Sequence, residues 1–234
     1  MYHILKSNII ENVKKPGESY ENLEEKVYKI IKDKIIYHKI KPKERIIDQN
    51  IAVELGVSRS LVRQVFKILL KEDLLIKVPR GGFYVRVVTK KEVDEIYNVR
   101  KVLESYATEL AMPNITEKKL DKIEKKFKKA KIDLEKKDTK SYFKLDIEFH
   151  DLIMSKCGNK ILWQIIKKYN DRYIFYRVID VKIIERAIIS YNEHLEIFKA
   201  IKSKNSKLAA CLMAKHLENA REKITKSFYE YTYE

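Results

Sequence analysis

Apolar residues return every three or four positions along most of this 234-residue chain, the spacing of one buried helix face. The departures from that rhythm divide it. Residues 1–19 hold no sustained period and contain Pro16-Gly17, so a flexible tail is expected there. From Tyr20 a helix face runs through Leu23, Val27, Ile30, Ile31 and Ile35, until Pro42 breaks it within Lys41-Pro42-Lys43-Glu44. A short helix follows, with Asp48 as its expected N-cap and Ile51, Ala52 and Leu55 facing inward. Gly56 closes it, and Ser58 caps a third helix that buries Leu61, Val62, Val65, Phe66, Leu69 and Leu70. After Asp73 the period drops to two across Leu75-Ile76-Lys77-Val78 and Phe83-Tyr84-Val85-Arg86-Val87. Pro79-Arg80-Gly81-Gly82 supplies a turn between those strands, with glycine free to take positive φ.

Helix, helix, turn, helix and hairpin, in that order, describe a winged helix-turn-helix over residues 20–88. In the turn, Gly56 permits the tight reversal, Val57 plugs the core and Ser58 starts the next helix. With Leu61 and Val62 inward, Arg59, Ser60, Arg63, Gln64 and Lys67 fall on the outer face. Arginines there are able to read guanine or clamp phosphate; an ordinary helical hairpin with solvated arginines is the plain alternative. From Thr89 the pattern is helical throughout, with segments near 90–112, 116–137, 139–157, 159–180, 182–203 and 206–230. Pro113, Gly158 and Ser203-Lys204-Asn205-Ser206 mark joints between them. The fold class expected is therefore mainly α: an N-terminal winged helix-turn-helix, then an antiparallel all-helical bundle of six or seven helices over residues 89–234.

Composition narrows the class further. Apolar residues make up 45% and charged residues 36%, with 5 Gly and 4 Pro, which suits an ordered helical protein rather than one of many short strands. Lysines interrupt every apolar run, which excludes a transmembrane helix, and no secretory signal stands at the N-terminus. Cys157 and Cys211 make neither a disulfide framework nor a four-cysteine zinc site, so a reducing cytoplasm is the expected compartment. The net charge of +16 favours a polyanionic partner, but the excess is spread along the chain and also suits plain solubility.

The informative polar residues of the helical half lie inside its apolar pattern. Asp146 and His150 are four apart and share a helix face; His194 and His216 lie on two later helices among apolar neighbours. Neutral imidazoles and a carboxylate on facing helices suit a divalent transition metal such as zinc or nickel. Hydrogen-bonded core histidines are the other reading. No HExxH pairing, Gly-rich phosphate loop or nucleophile–base set is present, and Glu148 points away from the face shared by Asp146 and His150.

The run from Ile51 to Val65, IAVELGVSRSLVRQV, resembles the winged helix of the GntR superfamily. That resemblance implies operator DNA as partner, with Ser58, Arg59, Ser60 and Arg63 contacting it and the wing at Gly81 and Gly82 entering the minor groove. Two departures stand out: Lys39 and Lys43 occupy a loop where many members carry glycine, and Gln49 stands where some carry arginine. Asp146-x-x-x-His150 followed by His194 and His216 is similar to the metal-binding subset of the FadR-type C-terminal ligand domain. So are Asn192–Ile201, the run Ala209-x-x-x-Met213-x-x-His216-Leu217, and Glu95-x-x-x-x-Arg100-x-x-x-Glu104. By that likeness a metal and Arg100 hold the carboxylate of a small organic acid, with Arg172 and Arg177 as further pocket candidates or surface residues. The expectation is a homodimeric repressor bound to a palindrome, because two recognition helices related by a two-fold axis demand matching half-sites. A direct metal sensor and a metal-dependent hydrolase or isomerase are the alternatives.

Overall fold

The computed structural model describes residues 20–168 and 183–232. The expected tail, the end of the 159–180 segment, Arg172 and Arg177 lie outside them. The described residues fall into two compact units that divide between Val87 and Val88.

The first unit holds α1 (Tyr20–Ile36), β1 (Arg45–Ile46), α2 (Asp48–Leu55), α3 (Arg59–Lys71), β2 (Leu75–Val78) and β3 (Gly82–Val85). Leu23, Val27, Ile31 and Ile35 of α1 are buried, as their spacing requires, while Ile30 is half-buried. Leu61, Val62, Val65, Phe66 and Leu69 form the buried stripe of α3, with Leu70 and Val57 only half-buried. Gly56 ends α2 at φ 64°, a left-handed conformation that glycine adopts without a Cβ clash. Ser58 then caps α3, its side chain accepting the Leu61 N–H at 3.3 Å. The expected cap of α2 is corrected. Ile47, extended at φ −108° and ψ 119°, holds the N-cap position with no side-chain bond, and Asp48 is the first helical residue. An acidic residue suits that first turn because its charge opposes the positive end of the helix dipole.

The strands form a three-stranded antiparallel sheet in the order β1-β3-β2, with Ile46 opposite Phe83 and Leu75 opposite Val85. The two-residue strand β1 was not expected from the sequence, since so short a stretch has no period to read. Gly82 opens β3 at φ 97°, and Phe83 packs edge-on against Phe66 of α3 at 5.0 Å between ring centroids. The hairpin is thereby fastened to the third helix.

The second unit is helical: α4 (Lys90–Ala111), a 3-10 turn (Met112–Asn114), α5 (Glu117–Glu135), α6 (Lys140–Ser155), α7 (160–168 as described), α8 (Ile184–Lys202) and α9 (Ser206–Thr232). Thr89 and Glu92 start α4 with a reciprocal capping box. α9 packs along α4 and α8, and α6 packs against α4, α5 and α8. Phe127 of α5 centres the core, in ring contact with Phe149, Tyr191 and Phe198. Among the described residues no helix is long and apolar enough to cross a membrane.

Candidate metal centre and nucleic-acid interface

α4, α6, α8 and α9 each bury polar side chains that a folded core accepts only with partners. Asp146 and His150 lie one turn apart on α6, His194 on α8 and His216 on α9. All four are buried, His194 completely. Nε2 of His194 is 3.0 Å from Nε2 of His150 and 3.1 Å from Nε2 of His216. Asp146 Oδ1 stands 3.6 Å from His194 Nε2 and 3.9 Å from His150 Nε2. The three imidazoles form a group able to hold a metal ion. Tetrahedral ligands on a bond of 2.0–2.1 Å sit about 3.3 Å from one another. The spacings within the cluster, from 3.0 to 3.9 Å, bracket that value.

The opposite ring nitrogens settle which atoms face inward. His150 Nδ1 donates to Glu104 Oε2 at 2.7 Å, and His216 Nδ1 donates to Glu193 Oε2 at 2.8 Å. His194 Nδ1 lies 2.9 Å from the Tyr142 hydroxyl, whose own proton goes to Ser190 Oγ at 2.7 Å, so the hydroxyl accepts from the histidine. That network assigns the proton of each neutral ring to Nδ1 and leaves three Nε2 lone pairs turned toward one another. Neutral lone pairs at 3.0–3.1 Å have no proton to share; a cation between them does satisfy them. The donor set therefore fits a divalent metal on this chain's own geometry.

Around the histidines lies a second layer. Glu104 also takes the Nε–H of Arg100 at 2.6 Å, and both side chains are fully buried. Arg100 thus reaches His150 through Glu104. Glu193 accepts as well from Asn219 at 2.8 Å, with Lys223 3.5 Å away. Burial works to raise the Glu193 carboxyl, but the hydrogen bond from His216, helped by Asn219 and Lys223, outweighs it and holds its pKa below the usual glutamate value. Phe149 stands edge-on to the His194 ring at 5.4 Å, closing one side of the cluster with apolar carbon. Glu148 is exposed and paired with Lys126, on the side away from the cluster. Tyr142, Ser190 and Glu193 were missed as site residues in the sequence. Glu193 adjoins His194 in the sequence, while Tyr142 and Ser190 gave no signal there.

In the first unit, Ser58, Arg59, Ser60, Arg63, Gln64 and Lys67 are all exposed on one side of α3. The Ser58 and Ser60 hydroxyls lie 2.9 Å apart at its N-terminus. Asp48, unremarked in the sequence except as a cap, pairs with Arg63 Nε at 2.8 Å and accepts from Arg59 Nη2 at 3.3 Å. Gly81 and Gly82 sit at the wing turn, where a Cβ on Gly81 would meet the Val78 side chain at 3.0 Å.

Comparison with known proteins matches both units. Residues 23–85 fit the family described as bacterial regulatory proteins, gntR family, and residues 95–219 fit the FCD domain. The HTH-type transcriptional regulator YdhC of Bacillus subtilis is 32% identical over 84% of this chain and 88% of its own length. The HTH-type transcriptional repressor RspR of Escherichia coli is 25% identical over 86% and 88%. A crystal structure of a GntR transcriptional regulator from a Rhodococcus species superposes with a TM-score of 0.74, covering 87% of this chain and 98% of that one. At 23% identity this last likeness speaks for the fold alone.

Proposed function

Since the chain belongs to the gntR family of bacterial regulatory proteins and carries an FCD domain, we propose that it is a dimeric, cytoplasmic repressor governed by a divalent metal and a small organic acid. Family membership makes it a DNA-binding transcription regulator and not an enzyme, which removes the hydrolase or isomerase alternative. RspR, named a repressor, supports repression as the mode.

The observation that carries the metal is the inward turn of three Nε2 atoms whose opposite nitrogens are all engaged. Asp146, His150, His194 and His216 would hold the ion, and zinc or nickel suits such imidazole and carboxylate donors. A bound divalent ion supplies a Lewis-acid centre that attracts a carboxylate oxygen. Arg100 adds a guanidinium one residue-to-residue step away, through Glu104, and is the group proposed to clamp the acid.

Operator contact is assigned to Ser58, Arg59, Ser60 and Arg63 on the exposed face of α3, and to the Gly81-Gly82 wing. Two-fold pairing is supported by Val99, Val102 and Tyr106, exposed apolar side chains three and four residues apart on α4. A second reading, in which the metal alone is the effector, is favoured by the Arg100–Glu104 pair, which already commits that guanidinium.

The test pairs metal analysis by mass spectrometry with operator binding. Wild type offered zinc or nickel retains stoichiometric metal; Asp146→Ala and the single His→Ala variants lose it, yet bind operator without effector much as wild type does. Release by metal plus a carboxylic acid supports the first reading, and release by metal alone the second. Wild type that retains no metal refutes both.

A further inference from the structure

We propose that Asp48 sets how selectively the two arginines of α3 engage DNA. The inference rests on the reading above, in which Arg59 and Arg63 face the operator. One carboxylate serves both side chains: Oδ2 stands 2.8 Å from Arg63 Nε in an ion pair, and Oδ1 and Oδ2 accept from Arg59 Nη2 at 3.3 and 3.4 Å. The carboxylate is itself fixed, since Oδ1 also accepts the Gln49 backbone N–H at 2.8 Å. The Asp48 side chain is 13% exposed, against 57% for Arg59 and 62% for Arg63. A sheltered, immobile anion thus grips two exposed cations one helical turn apart.

Two consequences follow for a polyanionic partner. Free arginines on a solvated helix face must give up rotamer freedom when they bind, and Asp48 removes part of that loss by holding the guanidiniums in place beforehand. Attraction to phosphate in general depends on net charge, and the same carboxylate subtracts one charge from the face that would meet the backbone. Reading of base edges depends on the position of the fork rather than on net charge. Asp48 therefore weakens indiscriminate binding while preserving directed contact, and selectivity rises on both counts.

The experiment uses the full-length protein and two duplexes: one enriched by wild type from a random pool, and a shuffled version of it. Asp48→Asn keeps the shape and an acceptor for the Gln49 N–H but loses the ion pairs. Its expected result is tighter binding to the shuffled duplex and an enriched-to-shuffled ratio lower by about tenfold, the scale of one base contact. The dependence of log K on log salt for the shuffled duplex steepens by up to about 0.9, one phosphate's worth. Asp48→Ser, with a hydroxyl for the same N–H, behaves likewise, and Asp48→Glu keeps more of the ratio than Asp48→Asn. A purely structural part for Asp48 weakens both duplexes together and leaves the ratio intact, which overturns the proposal. Arg59→Ala and Arg63→Ala separate the two failures. If neither changes the ratio, the assignment of α3 to the operator is wrong. If they abolish it while Asp48→Asn holds it within twofold, only the role of Asp48 is wrong.

Discussion

Each histidine of the cluster spends one ring nitrogen on the protein and turns the other inward, so the residues behind them would govern how well the proposed metal is held. Glu104 does two such tasks at once, orienting His150 and balancing the buried charge of Arg100. Glu104→Gln is expected to lower zinc affinity by roughly 10–100-fold, read by competition with a chromophoric chelator. The same variant leaves Arg100 without its counter-ion, and loses about 3–5 kcal/mol of stability in denaturant titration. An unchanged zinc affinity would show that Glu104 does not orient the ring. Asp146, His150, His194 and His216 stood out in the sequence because they interrupt an apolar pattern; Glu104 was visible there only as part of a resemblance, and Tyr142 and Ser190 not at all. A tyrosine or serine in a helix looks like packing until its partner across the fold is known. Lys43, which the sequence reading marked as a departure from the resembled pattern, takes φ 67°. Lys43→Gly is expected to stabilise the first unit by about 0.5–1 kcal/mol, the relief of left-handed strain less the greater freedom of unfolded glycine. Denaturant midpoints of the two proteins decide it.

At the scale of elements, helices announced themselves through periodicity and caps, and α3 through α6 begin and end within a few residues of their expected places. Two elements were harder to read. β1 has only Arg45 and Ile46, and its existence depends on pairing with Tyr84 and Phe83 some forty positions on. The start of α2 was ambiguous because aspartate favours both the cap and the first turn; the extended Ile47 backbone decides in favour of the turn. The helices of the second unit are held around Phe127, which touches rings from α6 and α8. Phe127→Ala is expected to cost about 3–5 kcal/mol, since it removes a fully buried ring from a site with aromatic neighbours on several sides. Circular dichroism in urea measures that loss. A cost below about 1 kcal/mol would mean the cluster repacks freely.

For the molecule as a whole, the proposed ion belongs to the second unit alone, and its effect on stability belongs there too. A metal that binds the folded chain at one hundred times its dissociation constant adds about 2.7 kcal/mol to stability. Zinc is therefore expected to raise the melting temperature of the helical unit and a chelator to lower it, with His194→Ala indifferent to both. Calorimetry that shows no zinc response in wild type would remove the metal from the stability of the fold. Pairing is tested at the same scale: Val102→Asp on the exposed stripe of α4 should shift the protein toward monomer in sedimentation and weaken its grip on a palindrome. The complete burial of His194 carries a further consequence, for rates rather than energies. An ion reaches a donor with no exposed surface only when the helices around it part, so exchange is limited by the frequency of that opening. Loading should climb with zinc concentration at first and then level off at a fixed rate constant, the same for any ion small enough to enter. A regulator built in this way responds to the average metal supply over many openings and is deaf to brief surges.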